Sequence, residues 1–166
     1  GVKTIFPLPA GLSFDEGAVI DPASIALHVA NRGSIVPGDT VAITGGGAIG
    51  LLGGDAARIR GASRVIVIEQ NAKRLAKAAA MGFETVDATA GDTVAAVLAL
   101  TDGVGVDVVL ECAGVPATVA TMMWLMSFWI STERSLMRLM VPSIWRVCSM
   151  VAPLSVAISL RATSTA

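Results

Sequence analysis

Over the first two thirds of the chain, apolar and polar positions follow a repeating order. Short, nearly continuous apolar runs at 40–44, 64–69, 84–87 and 106–111 alternate with longer stretches that have helix start and stop signals. A run that is apolar at almost every position suits a strand covered on both faces. Strands alternating with helices indicate parallel βαβ units. Ser13-Phe-Asp-Glu16 is a capping box, so a helix should begin there. Asp21-Pro22 reads as a second start, with Asp21 as N-cap and Pro22 at the first helical position, running through His28 to about Asn31. Further helices are expected from Ala48 to about Arg60 before Gly61, from Lys73 to Met81 before Gly82, and from an Asp92 cap to Leu100. The expected fold is α/β, a Rossmann-like doubly wound parallel sheet in three αβα layers.

One junction carries chemistry. Thr40-Val-Ala-Ile-Thr44 runs into Gly45-Gly-Gly-Ala-Ile-Gly50, and the next strand ends at Glu69, 24 positions beyond Gly45. Strand, G-x-G-x-x-G turn, helix, strand and carboxylate in that order form the dinucleotide-binding fingerprint. Gly45 permits the tight turn, Gly47 lets backbone approach a pyrophosphate, and Gly50 lets helix and strand pack closely. Ala48 and Ile49 open the helix, whose free N–H groups attract phosphate. Glu69 is placed to accept hydrogen bonds from a ribose. Arg74 reads as a helix-face charge beside Lys73 and Lys77. Cys112, Ala113 and Gly114 follow the fourth strand, at the carboxyl end where open α/β sheets bind ligands.

The order fails after Ala120. All 17 glycines lie at or before Gly114, whereas Trp124, Trp129, Trp145 and six of the seven methionines come later. Thr121–Ile130 reads equally as buried helix or strand. Its dense apolar part is shorter than the roughly 20 residues that a membrane helix needs, so no membrane partner is expected. The sheet is therefore expected to be incomplete at its C-terminal edge. The domain plan is residues 1–36 as a helical connection, 37–120 as the dinucleotide-binding domain and 121–166 as a divergent apolar tail. A net charge of −1 with no basic run gives no surface for nucleic acid. Cys112 and Cys148 have neither disulfide-framework nor zinc-knuckle spacing. No signal peptide is read at Gly1–Pro7, and a cytoplasmic setting is expected.

Leu8-Pro-Ala-Gly-Leu-Ser-Phe-Asp-Glu-Gly-Ala18, Asp21-Pro-x-x-x-Ala-Leu-His28, Pro37-Gly-Asp-Thr-Val41, the 45–50 turn and Val108-Val-Leu-Glu-Cys-Ala-Gly114 together resemble the medium-chain, zinc-dependent alcohol dehydrogenases. Within them the chain is most similar to the sorbitol, threonine and butanediol dehydrogenase branch. The resemblance spans roughly residues 5 to 120. It implies hydride transfer between NAD and a small secondary alcohol or polyol, with zinc held mainly by a catalytic domain preceding these residues. Asp21 occupies the place where that branch carries a glutamate at or beside the zinc, although a helix cap is the plainer reading. His28 is a candidate proton relay or a packing or surface residue, and Arg74 matches a basic position that in this family lies along the adenosine. The family's glycine-rich strand is expected near 130–140 and does not occur there, so the tail also reads as a frame-shifted sequence. The resemblance thus implies that these residues alone turn over no alcohol. Two other readings stay open: a non-catalytic cofactor-binding stub, and an S-adenosylmethionine-dependent methyltransferase, whose fold also pairs a glycine-rich loop with an acidic residue. A homo-oligomer is left open.

Overall fold

A computed structural model describes residues 5–115, Thr118, and the backbone of 146–149 and 157–159. The elements run α1 (Phe14–Arg32), β1 (Thr40–Thr44), α2 (Ala48–Ile59), β2 (Arg64–Glu69), α3 (Ala72–Ala80), β3 (Glu84–Asp87), α4 (Thr93–Leu100), β4 (Val108–Glu111), β5 (Arg146–Ser149) and β6 (Ala157–Ser159). The sheet order is β3-β2-β1-β4-β5-β6, the doubly wound order in which the succession of strands reverses between β1 and β4. All pairings are parallel except β5 with β6.

Alternation along the strands sorts the core into two faces. Val41 and Ile43 of β1, Val65 and Val67 of β2, and Val108 and Leu110 of β4 point to one side, joined there by Val29 and Ala30 of α1, Ala56 and Ala57 of α2 and Phe83. Ala42, Ile66, Ile68 and Val109 point to the other, against Val97 of α4. Side chains of both faces are almost wholly buried, which is why these strands read as continuous apolar runs.

The four predicted strands are present, with one shifted boundary. Val106 is buried, but the β4 ladder starts at Val108 because Asp107 is used otherwise: its Oδ2 accepts from the Thr40 amide at 2.8 Å, and its amide donates to the Thr40 carbonyl at 2.9 Å. The expected helix break at Asp21-Pro22 is not there. α1 is a single helix with Pro22 inside it, and Asp21 is an exposed mid-helix residue rather than an N-cap. The capping box at Ser13 does form: the Ser13 amide donates to Glu16 Oε2 at 2.8 Å and the Glu16 amide to Ser13 Oγ at 3.2 Å. Buried Ala26, Val29 and Ala30 anchor the far end of the helix. Fixed at both ends, the helix tolerates the single N–H that Pro22 lacks. Ser24 Oγ also donates to the Asp21 carbonyl at 2.8 Å.

Beyond β4 the sheet continues where an incomplete edge was expected. The backbone of Arg146–Ser149 pairs in parallel with Val108–Glu111, and Ala157–Ser159 closes that edge antiparallel. The 121–130 segment and the 130–140 region lie outside the described residues.

Candidate functional site

The carboxyl ends of β1, β2 and β4 meet at the point where strand order reverses. β1 turns sharply at Gly45, whose φ is +96°. A Cβ there would lie 2.8 Å from the Ala113 nitrogen and 2.9 Å from its Cα, so glycine is needed for conformation and for space alike. Gly50 is constrained more tightly, since a Cβ would come within 1.9 Å of the Gly45 carbonyl oxygen. Gly47 is the opposite case, with nothing within 4 Å of where its Cβ would be. That open space lies at the N-cap of α2, which has no side-chain cap. The first N–H groups of a helix have no intrahelical partner and carry the positive end of its dipole. The site therefore offers an anion an unobstructed approach to backbone donors. Gly47 and Ile49 are partly exposed and Ala48 is exposed, while Gly50 is buried beneath the turn.

Glu69 ends β2 beside this turn and is only 6% exposed. Its Oε2 accepts from the Gly46 amide at 2.8 Å, and its Oε1 accepts from the amides of Gln70 at 2.8 Å and Asn71 at 3.0 Å. Arg74 reaches Oε2 at 3.5 Å with its side chain 59% exposed. Burial alone would push this carboxyl up. The amides of Asn71, Gly46 and Gln70, with Arg74 behind them, outweigh that effect and hold it below the ordinary value of 4.5. Arg74 is set in place by α3, which starts one residue earlier than expected because Asn71 Oδ1 caps the Lys73 and Arg74 amides at 3.0 and 3.2 Å.

Across the turn, β4 ends at Glu111, and Cys112, Ala113 and Gly114 bend back over the strand end. Cys112 is half-buried, and its amide donates to the Thr44 carbonyl at 2.8 Å. Ala113 and Gly114 are exposed on the crevice rim.

Ten sequence-predicted residues thus gather around one crevice: Gly45, Gly47, Ala48, Ile49, Gly50, Glu69, Arg74, Cys112, Ala113 and Gly114. Asp21 and His28 are not among them and stand exposed on α1. Among the described residues, no group of three or more His, Cys, Asp or Glu side chains is arranged to hold a metal. Sequence reasoning missed Gly46, whose amide ties the turn to Glu69, and Glu111, which is fully buried. The signal for Glu111 was available: like Glu69, it is a carboxylate closing an apolar strand, and Gly114 follows it closely.

A family model described as zinc-binding dehydrogenase matches residues 48–129. The (R,R)-butanediol dehydrogenase of Bacillus subtilis strain 168 is 37% identical over 114 residues, covering 69% of this chain and 33% of that protein. The sorbitol dehydrogenase of the same strain is 38% identical over 114 residues, covering 68% and 32%. This chain belongs to the zinc-dependent medium-chain alcohol dehydrogenases. It spans about a third of the length of the curated relatives it matches. Among solved structures, a chain from Sinorhizobium meliloti 1021 bound to NADP superimposes with a TM-score of 0.64 at 43% identity, covering 69% of this chain and 34% of that one. The family implies a nicotinamide dinucleotide and zinc, and leaves the methyltransferase alternative without support. No helix among the described residues is long and apolar enough to cross a membrane.

Proposed function

We propose that this chain supplies the NAD-binding half of an alcohol or polyol dehydrogenase. The observation that carries the reading is the open cradle at Gly47, set over the uncapped start of α2 and flanked by the buried carboxylate of Glu69. The crevice fits the cofactor: Gly45 and Gly50 exclude any side chain, and Gly47 leaves room for a pyrophosphate against Ala48, Ile49 and the helix N-terminus. Held there, NAD would supply hydride-accepting chemistry. The chain's own residues bind and orient. Glu69, with Arg74 beside it, faces the adenosine ribose, and Cys112, Ala113 and Gly114 wall the β4 side.

NAD is the proposed cofactor rather than NADP, although one related structure holds NADP. A carboxylate at Glu69 opposes a 2′-phosphate in a partly desolvated pocket, and Arg74 supplies only one partly exposed counter-charge. The substrate class, a small secondary alcohol or polyol, is taken from the relatives. Zinc rests on the family, with Asp21 as the one position proposed for it; the described residues assemble no zinc site, and no step is assigned to a metal held here. A cytoplasmic setting accords with two cysteines that lack a disulfide framework. Fluorescence titration of the full chain with NADH, NADPH and S-adenosylmethionine tests the reading. NADH should bind at least roughly tenfold more tightly than NADPH, and S-adenosylmethionine should not bind. Equal affinity for NADH and NADPH would remove Glu69 from its role, and binding of S-adenosylmethionine alone would overturn the dehydrogenase reading.

A further inference from the structure

The carboxylate of Glu111 has no solvent exposure, yet the fingerprint assigns it nothing. Its Oε1 accepts from the amides of Ala113 and Gly114, both at 2.9 Å, and from the Thr118 hydroxyl at 3.0 Å; Thr44 Oγ1 stands at 3.5 Å. A buried carboxylate is kept only where donors surround it, and here most of them come from the loop it precedes. Gly114 takes a φ of +76° as its amide turns back toward the strand end. Thr44 and Glu111 are register partners on β1 and β4, the two strands between which the order reverses. The loop that Glu111 gathers also meets the Gly45 turn, where the backbone of Cys112 and Ala113 leaves no room for a Cβ.

A doubly wound sheet binds the two nucleotides of a dinucleotide on either side of this reversal. Glu69 and the glycine turn serve the β1–β2 side. We propose that Glu111 is a positioning residue for the other nucleotide: it holds the 112–114 wall at the spacing that the β4-side half of the cofactor requires. The inference rests on the dinucleotide reading given above.

The test compares the affinity of the full chain for NADH with that for ADP, which carries only the adenosine and pyrophosphate. In the unmodified chain NADH should bind more tightly than ADP. Glu111→Ala should weaken NADH roughly tenfold while leaving ADP within about twofold. Glu111→Gln retains an oxygen for the Ala113 and Gly114 amides and should recover NADH to within about threefold. Amide exchange at Ala113 and Gly114 should rise in the alanine variant and fall again in the glutamine one. If Glu111→Ala fails to fold, Thr118→Val decides, with a smaller NADH-selective loss of roughly threefold. Parallel loss of NADH and ADP, or no loss of either, overturns the positioning role. So does equal NADH and ADP affinity in the unmodified chain. Failure of the unmodified chain to bind either ligand instead removes the dinucleotide reading on which the inference stands.

Discussion

Glu69 and Glu111 close the two strands that flank β1, and their surroundings differ in kind. Glu69 takes three backbone amides, and Arg74 covers its outer side from the solvent edge. Glu111 takes two amides and the Thr118 hydroxyl, with no exposure at all. A carboxylate with an exposed cation at its rim can exchange part of that contact for a ligand. One without exposure, accepting from the amides of the loop that follows it, fixes the shape of that loop. The same residue type at equivalent strand ends therefore serves recognition on one side of the crevice and positioning on the other, according to what the following turn places over it.

The most disruptive way to break this comparison is to push its two sides apart. Gly45→Ala adds a Cβ against the Ala113 backbone at a φ of +96°. Strained φ and overpacking together should cost about 4 kcal/mol in urea unfolding of the full chain. Gly47→Ala meets open space and should stay within about 1 kcal/mol of the unmodified chain while weakening NADH. Wild-type stability for Gly45→Ala would mean that the two turns do not bear on each other.

Removing each carboxylate sharpens the contrast. Glu111→Ala removes a carboxylate with no solvent exposure that accepts from Ala113, Gly114 and Thr118, and should cost about 3 kcal/mol. Glu69→Ala should cost about 1–2 kcal/mol, because its carboxylate keeps some exposure and its cation, Arg74, is largely solvated. Equal costs by denaturant titration would erase the distinction. Cofactor choice should separate them further. Glu69→Ser should move the NADPH-to-NADH affinity ratio by roughly tenfold toward NADPH, whereas Glu111→Gln should leave that ratio unmoved.

The pH response of Glu69 gives a subtler check. Its folded pKa is depressed, so its stabilisation is fully present above the ordinary value of 4.5 and is lost as pH falls through the lower folded value. The stability gap between the unmodified chain and Glu69→Gln should stay level down to about pH 4.5 and close below it in acid titrations of the urea midpoint. A gap that closes above that pH would show that Glu69 is not held ionised by the turn. The smallest effect is expected away from the crevice. Arg64 donates to Glu84 through two nitrogens at 2.9 and 2.7 Å, but both side chains are about a third exposed. Arg64→Leu should change stability by only about 0.5 kcal/mol and leave NADH affinity untouched.

The strands and the glycine turn were legible because their signals are local. Val41, Ile43, Val65 and Val67 announce burial one residue at a time, and Gly45, Gly47 and Gly50 each answer a constraint set within one strand–helix junction. The Asp21-Pro22 break was misread because a local stop signal was weighed without the anchoring of Ala26, Val29 and Ala30 on the sheet. Glu111 went unread because its worth depends on a loop folding back over it and on Thr44 arriving beside it from a strand 67 positions away.

By itself the sequence determined the succession of strands and helices, the glycine turn and the carboxylate at the end of β2. These depend on hydrophobic periodicity and on backbone conformations that few residue types accept. Tertiary structure decided that α1 runs unbroken through Pro22, and that one strand-end carboxylate meets an exposed cation while the other, without exposure, accepts from the amides of the loop that follows it. Those outcomes depend on which surfaces meet across the sheet, and no local pattern of residues encodes the partner that a side chain will find there.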